Sequence, residues 1–599
     1  MEKLLDRSEI KSEDKWDVES IYKNIEEWEK DAIKCKELID TLASKKETFL
    51  NSSKDFKEFM LLDSELARLL DKVYLYTSLK SNEDMANATY QELNGKAALI
   101  YQDYQEKTSF VVPMMLKENP TKIETYLNEE EELLPFRHNV MDILRYKKHH
   151  LTEEQDKVLA AFSKTLSAGS DTASFLMDAD MRFGDITLPN GEKIELTDSN
   201  YGIYLRDKDR ETRRQAFIRM HEVYGSFKNT LNATLASVVN ESSTHARLTN
   251  FKSSLEASLY ANDIPTALYD NLINVVHEHL PLLYKYYDVK KEILGLEDFH
   301  LYDGYVTCVK KVSKKYSFEE GKELVLDALK VLGDEYINVL KTAFTDGWID
   351  KYPNRGKTSG AYSSGCYDTK PFVLLNYTNN YDDVSTLAHE LGHSMHSYFS
   401  INYNDYENHS YPLFLAEIAS TVNELLLSYY MENKVETKEE KLTILNERLD
   451  LFKATVFRQT MFAEFEKYIH NKADNNEILT ADNLAEYYYQ LNKKYFGDKV
   501  LVDDVIRYEW LRIPHFYRPF YVYQYATGLS IASYIVKNIL EGKEGFRDKY
   551  ILFLKSGGRD YPLEVLKIID VDLKDTKVFE DAMSMFKETL ERFSELSKN

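Results

Sequence analysis

The chain has 599 residues, 100 of them acidic and 76 basic, for a formal charge of -24. A field of that sign repels phosphate backbones and anionic bilayers, which argues against nucleic-acid and membrane-surface partners. With 21 Gly and 12 Pro but 44 Tyr and 29 Phe, the composition excludes a disordered or many-turned all-β chain and predicts long helices. Three cysteines, Cys35, Cys308 and Cys366, are too few and too scattered for a disulfide framework or a cysteine-based zinc site. The segment Met1–Asp17 is charged throughout and lacks the apolar core of a signal peptide. No stretch approaches the ~18 consecutive apolar residues of a membrane span. The expectation is a soluble, reduced, cytoplasmic helical protein.

The first 180 residues read as successive amphipathic helices. From Asp55 to Leu79, Phe59, Leu62, Leu66, Leu69 and Leu70 recur at helical spacing. Pro113, Pro120 and Pro135 punctuate the next stretch. Arg182 to Thr197 breaks the pattern: Asn190-Gly191 between short alternating runs predicts a β-hairpin, with both residues suited to positive φ. Asp198 and Ser199 are candidate caps for the next helix. The division expected here is a helical N-terminal lobe, 1–198, ending in the hairpin, and a catalytic part, 199–599. Helical patterns then run from about Asp207 to Leu340. A second irregular stretch, Asp350 to Asn380, holds Pro353, Gly356, Gly360 and Gly365, and ends in a strand-like apolar run from Pro371 to Tyr377. Helices dominate the remainder.

The run Tyr381–Phe399 reads as a helix capped by Asp382 or Asp383, with Val384, Leu387, Ala388, Leu391 and Met395 on its apolar face. It carries His389-Glu390-Leu391-Gly392-His393. Histidines four apart project from one face and can grip one ion. Zinc suits two imidazoles. Glu390 lies about 100° round the helix from His389, beside the ion rather than on it, where it can take a proton from bound water.

Catalytic zinc ordinarily takes three protein ligands. A third histidine six residues past His393 is excluded, because that place holds Phe399. His396 is expected to pack rather than ligate. The better candidate is Glu417, the first carboxylate of the apolar stretch PLFLAEIASTVNELLLSYY, since a buried carboxylate needs a partner. Glu424, two turns further along the same face, is a candidate for orienting a ligand histidine. His277, Glu278 and His279 are set aside, because residues two apart on a helix do not face one another.

HELGH followed by the Glu of LAEIAST resembles the thimet oligopeptidase family of zinc metallopeptidases, and within it the oligoendopeptidase F branch. The likeness extends through GKTSGAYSSG (356–365), IPHFYRPFYVYQYATG (513–528) and LKSGGRDYPLEVLK (554–567). The resemblance implies a mostly α fold of two helical lobes enclosing a deep substrate channel, with a small β element beside the zinc helix. It implies one zinc per chain held by His389, His393 and Glu417, with Glu390 as general base. It places a histidine and tyrosines of the 513–528 segment on the substrate and the oxyanion. His515 maps onto the histidine, and Tyr525 is the preferred tyrosine, with Tyr523 and Tyr517 as alternates. The stretch Gly360-Ala361-Tyr362-Ser363 falls on a substrate-aligning edge strand, which offers backbone groups to an extended peptide, and small Gly360 and Ala361 let that peptide come close. The implied activity is hydrolysis of internal bonds of short peptides by Glu-assisted attack of zinc-bound water. Two other readings stay open: a zinc hydrolase of a non-peptide amide, and a non-catalytic peptide-binding protein on the same scaffold.

Overall fold

Helices make up most of the computed structural model, which describes residues 4–309 and 314–598. The mostly α expectation is met. The helix expected over 55–79 spans Ser53–Glu83 and starts where the Ser52 hydroxyl accepts the Asp55 N–H. Its apolar positions do what their spacing dictates. Phe59, Leu66 and Leu70 are fully buried, and Leu62 and Leu69 lie at the margin of the same core.

The chain divides into two compact units. One comprises Met1–His150, Lys314–Met431 and Ile535–Val571; the other comprises Leu151–Ser313, Glu432–Tyr534 and Asp572–Asn599. In the first unit the long N-terminal helices enclose a core containing Trp16, Trp28, Phe56, Leu66 and Tyr76. In the second, the helices Thr266–Leu294, Arg458–Asp474 and Ala481–Phe496 pack on one another, and Lys577–Lys598 packs on the first of them.

The hairpin forms in the second unit, from β1 (Asp185–Thr187) and β2 (Lys193–Glu195), paired antiparallel. Its turn departs from expectation. Of Asn190 and Gly191, only Gly191 has positive φ, at 82°. The Gly191 N–H bonds to the Leu188 carbonyl. Pro189 fixes the first corner of an ordinary turn, and the left-handed glycine follows it. The next helix is capped by Thr197, in a reciprocal box with Asn200, rather than by Asp198 or Ser199.

The first unit holds a three-stranded sheet in the order β3 (Ile349–Asp350), β5 (Phe372–Leu374), β4 (Tyr362–Ser364). β5 runs parallel to β3 and antiparallel to β4, so β4 is an edge. Phe372 and Leu374 are wholly buried in the same core as Trp16 and Phe56. Lys357, 1% exposed, is paired with Asp350. Its ammonium also donates to the carbonyls of Asp350, Tyr352 and Leu375. One desolvated cation thereby stitches the loop before β4 to the ends of β3 and β5, with its donors satisfied.

Candidate metal centre

The helix Tyr381–Tyr403 forms where expected, but its cap differs. Asn380 is the N-cap, and Asp383 reaches back to the Asn380 N–H in a capping box. An asparagine cap leaves both acidic residues in the first turn, where the helix dipole favours them. The predicted apolar face is correct: Val384, Leu387, Ala388, Leu391 and Met395 are all 0% exposed.

The opposite face gathers the site. His389 Nε2 and His393 Nε2 lie 3.2 Å apart. Glu417 Oε2, from the helix Leu413–Lys434, is 3.6 Å from each of them. These three residues form a cluster able to hold a metal ion. A triangle with these sides has its centre about 2.0 Å from every corner, the distance at which zinc binds imidazole nitrogen and carboxylate oxygen. Two imidazole nitrogens and a carboxylate are also a donor set that zinc favours. The residues therefore fit the ion that the sequence implies.

Backbone contact fixes the crossing of the two helices. A Cβ added at Gly392 would lie 2.5 Å from Ser420 Cα and 2.7 Å from the Ala419 carbonyl oxygen. Only a residue without a side chain permits that approach. Asn423 then donates to the Ala388 carbonyl at 3.1 Å and accepts from Tyr336 Oη at 3.0 Å. Both positions are buried, and the lock sets Glu417 one turn from Ser420, level with the histidines.

Glu424 stands at the other nitrogen of His389, Oε2 to Nδ1 at 3.2 Å, and also accepts from Ser385 Oγ at 3.3 Å. Such a carboxylate selects the tautomer that leaves Nε2 open. Burial pulls the His389 imidazole down, but Glu424, with Glu390 and Glu417, outweighs it and holds the ring up at about 9. The same excess of negative charge favours a dication in place of that proton. His393 is pushed down, by burial first and then by His389.

Glu390 is 7% exposed. Burial pushes its carboxyl up to about 7, with Glu417 and Glu424 adding and His389 opposing. The Ser363 N–H of β4 contributes a hydrogen bond to it. The backbone carbonyl of Glu390 accepts from Ser394 Oγ at 3.0 Å, and Ser394 Oγ lies 2.8 Å from Ser363 Oγ. The edge strand is thus tied to the helix that carries the histidines. Sequence reasoning placed Ser363 in the edge-strand stretch but missed Ser394 and the contact between them. Gly360 and Ala361, expected on the edge strand, instead lie just before it, with Gly360 in the left-handed region at φ 83° where a strand cannot continue. His396 is 1% exposed and stacks on Tyr411 at 3.7 Å, as a packing residue does.

His515, Tyr517, Tyr523 and Tyr525 belong to the second unit. The ring of Tyr525 is 6.0 Å from that of His515. Tyr521, which the motif reading did not prefer, lies 6.1 Å from His515 and 5.3 Å from Tyr525. Tyr523 is 2% exposed and packs on Tyr269 at 5.3 Å, and Tyr517 Oη pairs with Thr234 Oγ1 at 2.8 Å. His277 and His279 have separate partners, Glu464 and the Val275 carbonyl.

A helical scaffold with a two-histidine, one-carboxylate cluster beside a buried glutamate describes a metallopeptidase. Residues 203–585 match Peptidase family M3, and residues 115–183 match Oligopeptidase F. Oligopeptidase PepF of Bacillus subtilis is 41% identical over 593 residues, covering 99% of this chain and 88% of that protein. An oligoendopeptidase F homolog of Borreliella burgdorferi is 39% identical over 599 residues, covering 99% and 100%. The crystal structure of oligoendopeptidase-F from Enterococcus faecium superposes with a TM-score of 0.74 at 34% identity, covering 95% of this chain and 99% of that one. A crystal structure from Chlamydophila abortus does so with a TM-score of 0.93 at 36% identity, covering 99% and 100%. The chain belongs to peptidase family M3, as its motifs implied. Among the described residues, no helix is long and apolar enough to cross a membrane.

Proposed function

We propose that this peptidase is a zinc-dependent oligoendopeptidase that hydrolyses internal bonds of short peptides. The observation that carries the reading is the donor triangle of His389, His393 and Glu417, with Glu390 buried beside it and tied to the edge strand. His389 Nε2, His393 Nε2 and Glu417 Oε2 hold one zinc ion per chain, and Glu424 orients His389. When bound, zinc polarises the scissile carbonyl and lowers the pKa of the attacking water. Glu390 takes the proton from that water and returns it to the leaving amine. β4, preceded by Gly360 and Ala361, aligns the extended peptide by strand addition. His515 and Tyr525 donate to the bound peptide and to its oxyanion. Tyr525 is preferred over Tyr523 because the latter is 2% exposed within a packed aromatic pair, and Tyr517 stays as the alternate.

Along the sequence, we assign 1–198 to a helical N-terminal lobe and 199–599 to the catalytic part. The three cysteines are free thiols, in keeping with a cytoplasmic site of action. The charge of -24 speaks against nucleic acid and anionic membrane as partners.

The test is the metal content of the purified enzyme together with turnover of quenched peptides of graded length, before and after chelation. Glu390→Gln should keep the zinc and lose turnover by about a thousandfold or more. Zinc absent from active enzyme, or a fully active Glu390→Gln variant, overturns the mechanism. Cleavage of simple amides but of no peptide establishes the non-peptide hydrolase instead. Peptide binding without turnover by zinc-loaded enzyme establishes the binding protein.

A further inference from the structure

Phe520 is a bulky residue in the left-handed region, with φ 57°. That conformation is unfavourable for any residue with a Cβ and persists only where the surroundings impose it. Here the surroundings are specific. Phe520 is 2% exposed, with its ring 4.4 Å from His470 and 5.9 Å from Tyr269. Its N–H donates at 2.7 Å to Oε1 of Glu466, from the helix Arg458–Asp474. Ser258 Oγ bonds the carbonyl of the preceding Pro519 at 3.4 Å.

Glu466 is 0% exposed, and burial pushes its carboxyl up to about 8, against the Phe520 N–H and Tyr269. Its Oε2 lies 3.3 Å from Tyr269 Oη, and Tyr269 Oη lies 2.9 Å from the Ala463 carbonyl oxygen. Tyr269 has one proton, and the carbonyl can only accept it. A protonated Glu466 completes the chain. Phe520 N–H donates to Oε1, Oε2–H donates to Tyr269 Oη, and Tyr269 O–H donates to Ala463 O. Every polar group in this chain then has a partner.

The clamped residue sits between His515 and Tyr521. The reversal at Phe520 lets the ring of Tyr521 return to 6.1 Å from His515, with Tyr525 alongside at 6.0 Å. We propose that Glu466 is a positioning residue, whose side chain clamps the Phe520 amide and so sets where His515, Tyr521 and Tyr525 present their polar groups. The proposal rests on the reading that His515 and Tyr525 contact the peptide.

The experiment compares full-length, metal-loaded wild type with Glu466→Gln, Glu466→Ala and His515→Ala. It measures zinc content, kcat and KM on a quenched peptide, and hydrogen exchange of the Phe520 amide. Glu466→Gln keeps an acceptor for Phe520 and a donor for Tyr269, so it should retain kcat/KM within about threefold and keep the amide protected. Glu466→Ala should expose the amide and lower kcat/KM by more than about tenfold, mainly in kcat, with zinc content unchanged. Glu466→Asp is one methylene shorter, withdraws the acceptor while keeping the polarity, and serves if the alanine variant does not fold. An amide that stays protected in both truncations overturns the clamp. An exposed amide with normal kcat overturns the positioning role if His515→Ala is impaired. If His515→Ala is also normal, the peptide-contact reading fails and takes the proposal with it.

Discussion

Ser363 Oγ on the edge strand and Ser394 Oγ on the metal helix lie 2.8 Å apart, and the Ser394 hydroxyl donates to the Glu390 carbonyl at 3.0 Å. The strand proposed to receive the peptide and the glutamate proposed to move the proton therefore share one hydrogen-bonded chain. Ser363→Ala and Ser394→Ala should each lower kcat/KM by roughly threefold to tenfold without changing zinc content. The double variant should lose less than the product of the two, with a coupling of about 0.5–1.5 kcal/mol. Strict additivity in a double-mutant cycle would show that the contact is incidental.

Gly392 sets the distance between the two ligand-bearing helices. With Ser420 Cα only 2.5 Å from the place of an added Cβ, Gly392→Ala forces the backbones apart. The expected outcome is a loss of about 1–3 kcal/mol in stability and a large drop in zinc affinity, because Glu417 retreats from the histidines. Zinc titration and thermal unfolding measure both. An alanine variant with wild-type affinity would show that the crossing has slack.

Glu424 acts on the metal through His389. Glu424→Gln keeps a hydrogen-bonding group but removes the charge, and should weaken zinc binding about tenfold; Glu424→Ala should weaken it up to about a hundredfold. Competition with a chromogenic chelator reads the constants. Equal affinities in all three proteins would leave the 3.2 Å contact without a role.

Glu466 makes folding stability depend on pH. Its carboxyl titrates at about 8 in the folded protein, against about 4.3 in an unfolded chain. A raised carboxyl prefers its proton in the fold. Its contribution is therefore complete below about pH 4.3 and is lost as pH rises through 8, by up to about 1.4 kcal/mol per unit between them. Glu466→Gln cannot ionise. Urea midpoints at pH 5, 6.5, 8 and 9 should show the variant gaining on wild type up to pH 8 and holding level beyond. A difference that does not vary with pH would contradict a neutral Glu466.

The metal helix was legible because its chemistry is local. Two histidines four apart share a face in any helix, and an amphipathic pattern says which face is free. Glu417 was legible as the first carboxylate of an apolar run, although its side chain is 39% exposed rather than buried as that reasoning supposed. The pairing of Ser363 with Ser394 was not, since nothing short-range marks two serines that meet across 31 residues. Gly392 reads in sequence as a tolerated weak spot in a helix; its reason is the backbone of Ser420, on another element. The tyrosine order was ambiguous for a related cause. Tyr521 turns toward His515 while Tyr523 packs on Tyr269, just past the reversal at Phe520, and a left-handed phenylalanine has no sequence signal. Glu466 looks like one more solvated acid on an amphipathic helix until Phe520 is placed over it.

Each compact unit is assembled from three separated stretches, and the last contribution to either one falls after residue 534. A ribosome must therefore deliver residues beyond 534 before either unit is complete, although the core around Trp16 and Phe56 draws on nothing past Leu374. Until then the histidine-bearing helix waits without the 535–571 stretch of its own unit. A nascent chain in that condition exposes apolar surface for tens of seconds at ordinary elongation rates of about 5–20 residues per second, so this enzyme should lean on holding chaperones during synthesis more than a protein of equal size built from consecutive domains.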